Sequence, residues 1–204
     1  MNIKKMFLLA GMSLAAIAFA APAAAQGAVT LTLNGNVLKK GAAVTATSKN
    51  LVTTVGQNSI SCEEVVLHYT VNTNAIGGKH VVLDPVGLHN ATTKNCVTHT
   101  PFGTFTNHIT NAGAGGQQLT INTWGTATMA ATFTSSTTLP TSTFHCSYTG
   151  SFSILATNGT DLAHVETGSS LTAPEVGCEP DEPHGNFTLT SGANAIIADV
   201  TSTP

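Results

Sequence analysis

Val29, Leu31 and Leu33 alternate with Thr30 and Thr32, so one side of this segment is apolar and the other carries hydroxyls. That two-residue period is the mark of a half-buried β-strand. It returns in Phe105, Asn107 and Ile109, in Met129, Ala131 and Phe133, and in Phe144, Cys146 and Tyr148. Ile60 to Val71 forms a longer β-branched run around Val65-Val66-Leu67. Between these runs stand Asn34-Gly35, Gly77-Gly78, Asp84-Pro85 and Asn158-Gly159, pairs suited to turns and hairpins. No stretch sustains the helical period over about three turns. The pattern predicts an all-β fold.

The pattern is also written twice. Cys96-x4-Pro101-x-Gly103-x-Phe105-Thr106 matches Cys178-x4-Pro183-x-Gly185-x-Phe187-Thr188. Upstream, Cys62, Thr73-Asn74 and His80-Val81 recur as Cys146, Thr157-Asn158 and His164-Val165. Leu31-Thr-Leu-Asn34 answers Leu119-Thr-Ile-Asn122, and Thr45-x-Thr47-Ser48 answers Thr132-x-Thr134-Ser135. The offset falls from 88 through 87 and 84 to 82, as loop insertions and deletions in a tandem duplication would make it. The expected organisation is therefore a unit over 26–112 and a related unit over 113–204, each of about 85 residues. Asn111 to Gly116 reads as the linker between them. A unit of this size has a marginal core by itself. The expectation is two β-sandwich-like units packed about a pseudo-twofold axis, with separate beads and one interlocked body both open.

The segment before these units reads as a signal peptide over 1–25: basic Lys4-Lys5, an apolar run from Phe7 to Ala20, then Ala23-Ala24-Ala25. The run from Phe7 to Ala20 is shorter than the roughly 20 apolar residues of a membrane span, and no later segment approaches that length. Export would leave 179 residues with five lysines, no arginine and ten acids, a formal charge of −5. Neither nucleic acid nor anionic membranes are expected as partners, since both demand clustered Lys or Arg. Thirty-four threonines in those 179 residues make a surface that is polar yet nearly uncharged. The expected location is secreted, extracellular or cell-surface, with the periplasm open.

In an oxidising compartment four cysteines should form two disulfides. The duplication gives each copy one pair, so Cys62–Cys96 and Cys146–Cys178 are expected, with pairing across copies as the rival. On the chain-entropy model, closing each loop stabilises its unit by roughly 3–4 kcal/mol.

Reactive groups are sparse. No G-x-S-x-G elbow, H-E-x-x-H helix or P-loop occurs, and what the copies share is mainly cysteine, proline, glycine and aromatic residues. The reading is non-enzymatic, without a cofactor, and a hydrolase assembled from distant loops is the remaining enzymatic alternative. Of eight histidines only His80 and His164 recur between copies, as a symmetric ligand pair or as strand residues covering a sheet edge. Glu179, Asp181, Glu182 and His184 crowd one segment and are the nearest approach to a metal set, though a solvated acidic loop explains them as well. Tyr148 shares a strand face with Cys146 and belongs in the core. Trp124, flanked by Gly125, is the aromatic residue freest to stack on a sugar.

Cys146-Ser-Tyr148-Thr-Gly150, followed by Gly159, Gly168 and Cys178, resembles small exported β-proteins of bacteria to which no activity is assigned. The Thr-rich body with Thr100-Pro-Phe-Gly103 is similar to the bacterial surface proteins described as activators of alkane oxidation. The resemblance implies a structural role at the surface or in the biofilm matrix and carries over no catalytic residue. The expected function is adhesion or self-association, with binding of a glycan, another extracellular surface component or a small ligand as the alternative.

Overall fold

In the computed structural model, residues 27–166 and 170–201 are described, and they form strands, turns and loops without a helix. The expected signal segment 1–25 lies outside the described residues. The first copy supplies β1 (Ala28–Leu33), β2 (Asn36–Val37), β3 (Ala43–Val55), β4 (Asn58–Thr73), β5 (His80–Pro85), β6 (Ala91–Thr100) and β7 (Gly103–Gly113). The second supplies β8 (Leu119–Asn122), β9 (Thr126–Thr138), β10 (Thr143–Ala156), β11 (Leu162–Val165), β12 (Ser170–Thr172), β13 (Asp181–His184), β14 (Asn186–Ser191) and β15 (Asn194–Thr201). The all-β expectation holds.

All fifteen strands belong to one antiparallel sheet, and the copies are interlocked. β3 pairs with β4, β4 with β6, β6 with β7, and β7 crosses to β9 of the second copy. β9 then pairs with β10, β10 with β12, β12 with β13, and β13 returns to β3. The circuit is closed. A lone copy would leave β3 and β7 as raw edges with unpaired backbone groups, and pairing each with the other copy removes both. Asn111 to Gly113 are therefore strand, not linker: Gly113 pairs with Thr132, and a Cβ on it would stand 2.6 Å from the Leu88 carbonyl oxygen. Ala114 is buried, and its N–H donates to Asn90 Oδ1 at 2.8 Å.

Both disulfides form within their own copies. Cys62 and Cys96 face each other across β4 and β6, whereas Cys146 on β10 reaches Cys178 in a loop. They also correct one detail of the repeat. Leu51 lies opposite Cys62 and Ser135 opposite Cys146, so Ser135 is the counterpart of Leu51 and not of Ser48. The Thr-x-Thr-Ser match is compositional.

The twin phrase folds in two ways. In the first copy Pro101-Phe102 is the β6–β7 turn and Phe102 is 92% exposed. In the second, β12 ends at Thr172, the chain detours through 173–180, and Pro183 returns inside β13 opposite Thr53. Gly185 there has φ 155°, and a Cβ would come within 2.7 Å of Leu51 Cδ1.

Val29, Leu31, Tyr69, Tyr148, Leu171 and Ile196 are among the fully buried core side chains, and Phe133 stacks on Tyr148 at 5.0 Å. Asn34 (φ 51°) and Gly35 (φ 76°) make the tight β1–β2 turn that their sequence announces.

Candidate functional site

β8 lies along β5, with His80 opposite Asn122 and Leu83 opposite Leu119. The chain then turns sharply into β9. Asn122 builds that turn, its Oδ1 accepting from the Trp124 N–H at 2.9 Å, the Thr126 N–H at 3.2 Å and the Thr126 hydroxyl at 2.9 Å. Gly125 needs its left-handed conformation (φ 77°), and a Cβ there would approach the Ala156 carbonyl oxygen to 2.7 Å. The turn therefore presents Trp124, 60% exposed, at its tip. Trp124 thus sits in the turn between β8 and β9 and in neither strand.

Beyond the turn β8 and β9 diverge. Among the described residues, β8 is paired only along β5, and residues 126–131 of β9 only along β10. An open groove of about 560 Å³ lies here, lined by Gln118, Thr120, Asn122, Thr126, Thr128, Ser153 and Glu166 together with Ala127. Amides, hydroxyls and one carboxylate face it, and no basic side chain does. Strand alternation explains the lining: Leu119 and Ile121 turn into the core, leaving Gln118, Thr120 and Asn122 outside.

His80 is exposed beside this turn through its pairing with Asn122. His164 lies on β11 between Leu155 and Asn186, and Leu155 separates it from Thr126. The recurring histidines thus occupy unlike surroundings, and no symmetric pair of sites forms around them.

Glu179, Asp181, Glu182 and His184 are not brought together. Alternation along β13 buries Asp181 and turns Glu182 outward, while the Glu179 carboxylate lies over Gly56. Among the described residues no group of three or more His, Cys, Asp or Glu side chains is placed to hold a metal. The acidic loop has a different task. Among the described residues β10 has no strand partner beyond Thr149 on its β12 side, and Glu175 takes that place, both carboxylate oxygens accepting from the Ser147 N–H at 3.1 Å. Bonds from the Ser147 side chain and then its backbone hold the Glu175 carboxyl below its usual range.

The burial of Asp181, the charges around the Tyr148 hydroxyl and two Ser–His contacts were not legible in the sequence. Asp181, read as part of a solvated loop, is 0% exposed, and burial pushes its carboxyl up to about 7. Burial, followed by the charges of Asp181, Glu175 and Glu179, pushes the Tyr148 hydroxyl up to about 12. Ser61 Oγ stands 3.0 Å from His99 Nε2, and Ser136 Oγ 2.8 Å from His145 Nδ1. His99 Nδ1 meets the Thr104 hydroxyl at 3.1 Å, where a hydrolytic triad has a carboxylate. Cross-strand pairing created both Ser–His contacts, and no sequence spacing announced them.

Comparison with protein-family models, with curated proteins and with solved structures finds no match to this chain.

Proposed function

We propose that this chain is an exported, non-enzymatic β-protein that works at the cell surface or in the extracellular matrix by holding a polysaccharide chain in the groove between β8 and β9. The groove beside Trp124 carries the reading. Its lining is rich in amide and hydroxyl groups that can exchange hydrogen bonds with sugar hydroxyls. Trp124 offers an exposed indole face at the turn end, suited to the apolar face of a pyranose ring. A formal charge of −5 after export, with no arginine, fits neutral glycans better than acidic ones.

Titrating the purified protein with oligosaccharides chosen from a glycan array should change the Trp124 fluorescence, Trp124 being the only tryptophan in the chain. Trp124→Ala should weaken binding about tenfold, the loss of one aromatic contact worth roughly 1–1.5 kcal/mol. A wild-type protein that responds to no glycan ends this reading.

The alternative is self-association through strand edges. The sheet path ends at β8 and β2, and the β8 edge (Leu-Thr-Ile-Asn) carries none of the charges that usually guard such an edge. Sedimentation should then show concentration-dependent growth of oligomers. A monomer at high concentration rules it out.

A further inference from the structure

The closed ring of strands contains a cavity of about 100 Å³, to which every strand of the ring contributes. Leu51, Ile60, Ile109, Phe133, Phe152 and Leu171 are typical of its wall, which is almost wholly apolar. The exception that matters is on the β3–β13 side. Thr53 lines the cavity, and its Oγ1 is buried without a hydrogen-bond partner. Thr53 pairs with Pro183, and two residues along the same inward row is Asp181, 0% exposed, with neither carboxylate oxygen partnered. Farther along β3, Ser48 is also 0% exposed and its Oγ unpartnered.

Orphaned polar atoms at this depth are uncommon in folded proteins, because each gives up its hydrogen bonds to water and receives nothing in return. Four such atoms on three residues gather on the β3–β13 side, Thr53 in the cavity wall and Asp181 and Ser48 beyond it, and with the apolar wall they describe an amphiphilic site; one more, Asn107 Oδ1, lies away from the cavity on β7. The two hydroxyls can donate or accept and the Asp181 carboxyl offers oxygens that accept, so a head group with a hydrogen-bond donor finds partners on this side, while the rest of the wall asks for hydrocarbon. Size sets a second limit. A cavity of about 150 Å³ admits benzene, so this one takes roughly four non-hydrogen atoms. The wall is also thinnest beside this row, since β12 and β13 are joined by the single pair Leu171 and Asp181, and Leu171 lines the cavity.

We propose that the barrel interior is a second binding site, separate from the Trp124 groove, for a short alkyl chain bearing one hydrogen-bond donor, its head on the Thr53–Asp181 side. The ligand passes through the β12–β13 seam.

The test uses n-propanol, n-propylamine and xenon with the oxidised mature protein. Amide shifts along β3 and β13 are followed by NMR during titration. At least one propyl probe should bind saturably, and which of the two binds more tightly identifies the donor as hydroxyl or amine. Ala131→Leu fills the cavity and should abolish both shifts. Thr53→Val and Asp181→Leu should weaken the propyl probe at least tenfold while xenon, which needs no donor contact, binds as before and reports an intact interior. Trp124→Ala should change nothing, which separates this site from the glycan reading. The proposal is overturned if neither propyl probe binds saturably. It is equally overturned if Thr53→Val and Asp181→Leu leave propyl binding intact, since the interior is then a simple apolar void.

Discussion

At the scale of single residues, Asp181 ties stability to pH. Its carboxyl titrates from 3.8 when exposed to about 7 when folded, because burial disfavours the charge. The folded state therefore holds this proton more tightly than the unfolded state. The stability it contributes is fully present below pH 3.8, declines as pH rises toward 7, and is gone above that. The loss across this window amounts to up to about 4 kcal/mol. Urea midpoints at pH 4.5 and 8 should show wild type weaker at the higher pH, with most of the difference absent in Asp181→Asn. Equal slopes in the two proteins would refute the assignment. Glu175 acts with the opposite sign, since bonds from Ser147 favour its charged form and are lost on acidification. Comparing wild type with Asp181→Asn cancels that contribution.

At the scale of elements, the repeated Asn74 and Asn158 are brackets that hold strands. Asn74 accepts from the Leu31 N–H at 2.9 Å and donates to the carbonyls of Leu31 at 2.7 Å and Leu38 at 3.0 Å, clamping β1 to the neck of the β1–β2 hairpin. Asn158 accepts from the Val200 N–H at 2.8 Å and so holds β15. Asn74→Ala should cost about 2–3 kcal/mol and Asn158→Ala about 1 kcal/mol, following the number of partners each leaves unpaired. Denaturant unfolding measures both, and equal losses would contradict the bracket. The long run from Ile60 to Val71 has its own explanation. Its buried positions are Ile60 and Cys62 in the first part, then Val65, Leu67, Tyr69 and Val71, so the alternation changes parity in the middle of β4. Left-handed Asn50 (φ 61°) and Asn95 (φ 48°) sit on the flanking strands at that level. A sequence reading that requires one unbroken period sees only a β-branched run.

At the scale of the whole molecule, the ring makes the copies mutually dependent. β7–β9 and β3–β13 are pairings between copies, so neither copy can unfold without exposing edges of the other. Calorimetry should therefore record one cooperative transition, with calorimetric and van't Hoff enthalpies equal. Two resolved transitions would mean that the copies are independent domains. Replacing both Cys62 and Cys96 by alanine should cost roughly 3–4 kcal/mol, the closure term for a sequence separation of 34. Because the ring is shared, that loss should lower the single midpoint without splitting it.

The sequence by itself determined what depends on neighbours along the chain and on the duplication. Strand period marked Val29 and Leu31 as core, Asn34-Gly35 announced its turn, and one cysteine pair per copy named both disulfides. Trp124, the aromatic residue that joins no apolar alternation, is 60% exposed. Only the tertiary structure decided which edge meets which. The Gly-rich stretch 111–116 looked like a linker because its composition is that of a loop, yet Gly113 is needed where backbones crowd. Asp181 looked solvated because its neighbours are acidic and prolyl, yet the β3–β13 register turns it inward. The groove at Trp124 and the cavity inside the ring both arise from pairings between residues far apart in sequence. Such pairings are set by long-range register and by the need to satisfy strand edges, and no local pattern encodes them.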